Sequence, residues 1–243
     1  MKFRKALAIL LALSMVLSLL PTAALAQDAA AVTTWAELQA ALDEGGIVTL
    51  GSNVTAGQGD EALTVPAQRT VVLDLNGYTV DRGLAAETAN GSVFIVSGTL
   101  TVTGNGTITG GNSTGAGGGV RVKAGGQFTL NGGTIAGNHA RTSGGGVYVS
   151  GSGSVFVLDG GTVENNTSRN GGGIAQDGSG SVIVRSGSVT GNTASNNGGG
   201  VWFGGGSGTT LSMSGGSITE NTAEVKGGGV FVNSGSFELT GGA

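Results

Sequence analysis

The sequence predicts an all-β parallel β-helix. One chain winds into stacked coils of three strands and about 27 residues, closed at its N-terminal end by a short helix. Three observations predict this. Glycine triplets start at residues 117, 144, 171, 198 and 227, at intervals of 27, 27, 27 and 29. An apolar residue follows a glycine turn at Val80, Ile108, Ile135, Val163, Val189 and Ile218. Alternating apolar pairs precede four of these at fixed offsets: Phe128/Leu130, Phe156/Leu158, Val182/Val184 and Leu211/Met213. Self-similarity at several positions per unit marks stacked repeats, and strict alternation gives each strand one buried and one exposed face.

The elements follow in chain order. Residues 1–26 read as a secretory signal peptide: Lys2, Arg4 and Lys5 lead an apolar run, and Ala24-Leu25-Ala26 offers a small-x-small cleavage site. After removal of that segment no later stretch reads as a membrane-crossing helix. Residues 27–63 are expected to form an N-terminal cap, with a helix over 34–42 and the first strands. Thr34 and Glu37 match a capping box, and Trp35, Leu38, Ala41 and Leu42 follow at helical spacing. A repeat array needs such a cap, because its first coil would otherwise expose core and strand edges. Residues 64–243 carry the coils. The chain stops inside the repeat pattern at Leu239-Thr240-Gly241-Gly242-Ala243, which predicts further coils in the native protein. A leucine-rich repeat has a similar period but demands a leucine-dense consensus and often a helix per unit, and no unit after residue 45 has a helical pattern. Right-handed winding is expected from the general preference of parallel crossovers.

Composition narrows the functional classes. Glycine supplies 51 of 243 residues and charged residues only 11%, so Thr, Ser, Asn and Gly make most of the polar surface. Without residues 1–26 the chain keeps eight basic against fifteen acidic residues, a net charge of −7. Nine of those acids fall between Asp28 and Glu87, and no basic stripe is present, which argues against a nucleic-acid partner. There is no cysteine, so a secreted form must rely on core and backbone ladder.

The stretch GGGVYV at 144–149, followed by GGTVENN at 160–166, resembles the GGA[IVL] and FxxN motifs of polymorphic outer membrane protein repeats. It also resembles adhesin-like, pectate-lyase-type right-handed β-helix proteins of bacterial surfaces. The resemblance covers about residues 64–243, with GGG in place of GGA and Ile or Val in place of Phe. It implies a secreted or cell-surface bacterial protein, an adhesin or a stalk-like spacer, and it supports the right-handed winding. The same superfold also holds polysaccharide lyases and glycoside hydrolases, so fold alone decides neither.

The candidate residues divide into turn chemistry and an outward row. Asn138, Asn166, Asn192 and Asn221 sit three residues after the turn apolar position and are expected to stack as an amide ladder. The middle residue of GGGVxV points outward if its valines point inward, which aligns Arg121, Tyr148, Ala175, Trp202 and Phe231 down the stack. Three aromatics on one face can stack on sugar rings or a partner surface. Arg141 is expected over Arg169, a like-charge pair that an anion or carboxylate would relieve. Asp159 is expected beside Arg185 as a cross-strand ion pair rather than a catalytic acid. His139 is read as a turn residue without catalytic partners. Gln176 takes an inward slot and is expected either to bond a turn or to bulge outward. Outward threonines read as scattered. No calcium nonapeptide, metal cluster or cofactor motif is found. The expected function is non-enzymatic: a monomeric adhesin-like protein or spacer that presents an extended face to an extracellular glycan or a host or cell-surface protein. A polysaccharide lyase or hydrolase on the same fold is the alternative.

Overall fold

A computed structural model describes residues 31–206 and 208–243. The signal peptide expected at 1–26 lies outside the described residues. The chain forms a parallel β-solenoid of about seven coils, built from three parallel sheets of 13, 7 and 5 strands. The coil opened by Gly144 shows the plan. Val147–Ser150 lies in the seven-strand sheet, Val155–Glu164 in the thirteen-strand sheet and Thr167–Asn170 in the five-strand sheet.

Three sheets are therefore present, with an origin that differs in part from the sequence reading. In this coil and the next, the two apolar segments join as limbs of one strand, Val155–Glu164 and Ser181–Thr190, although the ladder slips at Asp159 and Gly160 takes φ 126°. In other coils, as at Gln127–Leu130 and Thr134–Ala136, they are separate strands. The third sheet comes from residues after the asparagine, where a turn was expected. His139 accordingly opens a strand, His139–Ser143. A segment such as Thr167–Asn170 shows too little apolar alternation to announce itself (only Ser168 is buried), so the neighbouring coils decide its conformation.

Inward rows run the length of the stack. In the seven-strand sheet they contain Phe94, Val120, Val147, Ile174 and Val201, all fully buried. In the thirteen-strand sheet Phe128 stacks on Phe156 with ring centroids 5.2 Å apart. One coil cannot bury its face alone, so stability rests on contacts between neighbouring coils.

The glycine triplet has a steric cause. Gly144 adopts φ +66°, the left-handed region that glycine enters without penalty. Gly145 has no room for a side chain: a Cβ there would lie 2.5 Å from both the Gly172 and Thr167 carbonyl oxygens. The turn thus needs a left-handed residue first and a bare backbone next.

The cap helix spans Trp35–Glu44, two residues beyond the expected end, and stops at Gly45 with φ 85°. The capping box is complete: the Glu37 N–H donates to Thr34 Oγ1 (3.2 Å), and Glu37 Oε2 accepts from the Thr34 N–H (3.1 Å). Trp35, Leu38 and Leu42 turn into the core. The helix also pairs a strand edge. Gln39 presents its side-chain amide to Thr64, accepting from the Thr64 N–H (2.8 Å) and donating to its carbonyl (3.1 Å). That mimics a further strand, the remedy an exposed edge requires. Val32 does the same beside the first strand of the long sheet, donating to Thr49 O and accepting from Gly51 N–H.

Candidate functional site: the outer face of the seven-strand sheet

The register places the outward row as the counting implied. Arg121 pairs with Tyr148, Tyr148 with Ala175, Ala175 with Trp202, and Trp202 with Phe231. Ile95 and Thr64 extend the row toward the cap. Adjacent strands lie about 4.8 Å apart, so this strip follows the solenoid axis. Its large side chains are half-buried rather than freely exposed, and Ala175 is buried between its neighbours.

The second row of the same face lies two residues on, at Ser150, Asp177 and Gly204. The first row leans over the second. Tyr148 Oη lies 3.5 Å from Asp177 Oδ2. Burial, and then the Asp177 charge, push the Tyr148 phenol above its ordinary pKa, while Arg121 pulls it down. The benzo ring of Trp202 occupies the space where a side chain on Gly204 would project. Lys226 Nζ sits 5.9 Å from the Phe231 ring centroid, within cation–π range. Arg121 Nε is buried and has no hydrogen-bond partner.

The asparagines do not join this face. They line the corner between the thirteen- and five-strand sheets as a chain of side-chain hydrogen bonds. Asn138 Nδ2 donates to Asn166 Oδ1 (3.0 Å), Asn166 Nδ2 to Asn192 Oδ1 (3.0 Å), and Asn192 Nδ2 to Asn221 Oδ1 (2.9 Å). Each acceptor oxygen also takes the backbone N–H of the asparagine in the preceding coil, and each donating Nδ2 also reaches a backbone carbonyl of the coil before its own. Asn138, Asn166 and Asn192 are buried, so this ladder satisfies a polar corner inside the fold.

Arg141 and Arg169 lie on the five-strand sheet, away from the aromatic row. The ladder shifts register just past Ala140 and Ser168, so a plain stack of the two is not continued. Arg141 instead reaches Glu87 (3.9 Å). Glu87 also meets His139 Nε2 (3.3 Å), and His139 Nδ1 meets Thr167 Oγ1 (2.8 Å). Sequence reasoning missed this cluster, because Glu87 sits 52 residues before His139 in a loop outside the repeat.

Asp159 forms its ion pair with Arg185 (3.5 Å). The ladder register there is shifted, and Asp159 pairs with Ser186, whose hydroxyl also donates to it (3.2 Å). Gln176 stays inward and fully buried, bonding the turn carbonyls of Gly178 (2.9 Å) and Gly180 (3.0 Å). The outward threonines are not scattered. Thr79, Thr107, Thr134, Thr162, Ser188 and Ser217 form one hydroxyl column on the second limb of the long sheet. Their sequence spacing follows the coil, and the repeating Thr/Ser before each turn apolar residue was the legible cue.

Among the described residues no group of three or more His, Cys, Asp or Glu side chains converges as a metal site. No described helix is long and apolar enough to cross a membrane. Compared with family models, curated proteins and solved structures, the chain matches none of them.

Proposed function

We propose that this protein is a non-enzymatic secreted or cell-surface β-helix of the adhesin-like or spacer type, whose seven-strand sheet presents a binding strip to glycan or to a partner surface. The observation that carries this reading is the in-register row Arg121–Tyr148–Ala175–Trp202–Phe231 on one outer face. Aromatic side chains bury much area with little conformational freedom to lose, which suits them to contact surfaces. The motif resemblance to polymorphic outer membrane protein repeats and pectate-lyase-type β-helices, and the basic-apolar N-terminal stretch, support secretion and surface display. Asp159 is held by Arg185 and Glu87 by His139 and Arg141, which leaves Asp177, beside the Tyr148 phenol, as the carboxylate on the strip. This favours binding over glycosidic cleavage, which needs two carboxylates set across one bond.

The test is retention on immobilised glycans and on cell surfaces, run beside an assay for new reducing ends. Retention without depolymerisation, lost when Tyr148, Trp202 and Phe231 are all replaced by Ser, is the expected result. Turnover that a single side-chain substitution abolishes would establish the lyase or hydrolase alternative instead.

A further inference from the structure

Within that binding strip, and resting on that reading, we infer a neutral-saccharide subsite built from Trp202, Gly204, Asp177 and Tyr148. The argument begins at Gly204. It lies in the strand Val201–Gly205, where glycine costs stability unless something must approach closely. What approaches is the indole of Trp202, two residues earlier on the same face. Atoms Cη2, Cζ3 and Cζ2 fill the volume of a Gly204 side chain. The ring therefore lies down on the sheet, and Trp202 remains partly exposed. An indole held this way is a platform for the apolar face of a ring.

Polar groups stand beside it. Asp177 is the register partner of Gly204 and is exposed. One coil further, Tyr148 directs its hydroxyl to Asp177 at 3.5 Å. Tyr148 and Trp202 flank Ala175, two coils apart, roughly 9.6 Å at the strand spacing. That gap suits about two hexose units laid along the solenoid axis. The combination is a flat apolar platform, a small floor and one carboxylate with a phenol: mostly apolar contact, with few convergent polar groups to fix orientation.

Charge then selects among ligands. A carboxylate between aromatics could also hold a cation. Here Arg121 adjoins Tyr148 on one side of the aromatics and Lys226 sits over Phe231 on the other, so a cation meets positive charge on both flanks. An acidic sugar meets Asp177. A neutral hydroxylated ring suffers neither repulsion, and its vicinal hydroxyls can donate to the carboxylate in charge-assisted hydrogen bonds.

The experiment is calorimetric titration of the whole chain with neutral hexasaccharides (cello-, xylo-, manno- and laminarihexaose), an oligogalacturonate and a chitosan hexamer. Trp202 emission is followed in parallel against buried Trp35. At least one neutral hexasaccharide should bind and perturb the emission, in preference to the charged probes. Asp177→Asn should weaken binding about tenfold, the scale of one hydrogen bond to a charged group. Trp202→Ala should abolish it. Gly204→Ala keeps the tryptophan but lifts its ring, so it should weaken binding at least tenfold with an unchanged circular dichroism spectrum. Neutral-sugar binding that survives all three substitutions overturns the subsite. If such binding falls only with Phe231→Ala, the broader strip stands without this subsite. Absence of binding by every neutral probe, or preference for a charged one, also overturns the subsite. Loss of surface retention by the wild-type chain would overturn the strip itself.

Discussion

Replacing Asn166 by Ala tests whether the asparagine corner holds the coils together. The Asn166 side chain makes four hydrogen bonds within the ladder. Its Oδ1 accepts from the Asn138 N–H and from Asn138 Nδ2, both at 3.0 Å. Its Nδ2 donates to the Ile135 carbonyl (2.9 Å) and to Asn192 Oδ1 (3.0 Å). Some partners keep other contacts: Asn138 Nδ2 still reaches Ile108 O and Ala136 O, and Asn192 Oδ1 still accepts the residue 166 N–H. The Asn138 N–H loses its acceptor in a buried corner. At about 1 kcal/mol net per bond, with a further penalty for that orphan, the loss is about 3–5 kcal/mol. Asn221→Ala is the internal control. Asn221 makes three such bonds but is only half-buried, so water can replace them and the loss is about 1–2 kcal/mol. Urea unfolding followed by circular dichroism, compared at equal m, reads both. A loss under about 1 kcal/mol for Asn166→Ala, or one no larger than that of Asn221→Ala, would refute the reasoning.

Three further outcomes follow from the same contacts. Gly145→Ala places a Cβ 2.5 Å from two carbonyl oxygens and should lower the thermal midpoint sharply, whereas Gly115→Ala, with only Ser113 Oγ at 3.7 Å, should leave it nearly unchanged; equal midpoints would count against the steric account of the triplet. The Thr33 and Thr34 hydrogen bonds hold the Glu37 carboxyl below its ordinary pKa, so its contribution is present above the unfolded-state pKa and lost as pH falls through the lower folded one. Glu37→Gln should flatten stability against pH in that acidic window, and an unaltered acid limb would refute the capping-box account. Asp177→Asn should lower the Tyr148 titration midpoint in an absorbance titration, since the Asp177 charge helps raise it; a midpoint that stays put would separate the two groups.

Much of this architecture was legible in the chain alone. Period, alternation and turn glycines are local and repeated, so errors at one coil are corrected by the next. The outward row of Tyr148, Trp202 and Phe231 and the asparagine column were found by counting, because parallel in-register stacking converts sequence offset directly into spatial alignment. The capping helix was equally plain, since Thr34 and Glu37 carry their own hydrogen-bond chemistry.

Tertiary structure decided what counting could not reach. Strand limits were one such matter: nothing in Thr167–Asn170 favours a strand until a neighbouring coil offers a ladder. Register slips near Asp159 and past Ala140 were another: Asp159 pairs one residue out of step with Leu158, and the original offset returns at Thr162, so the sequence period carries no trace of the slip. Side-chain direction was the third. The sequence determined that Trp202 points outward, because strict alternation sends neighbouring strand residues to opposite faces. Only the folded sheet decided that the indole lies down over Gly204 beside the Asp177 carboxylate, because that depends on which neighbouring volume a missing side chain leaves open.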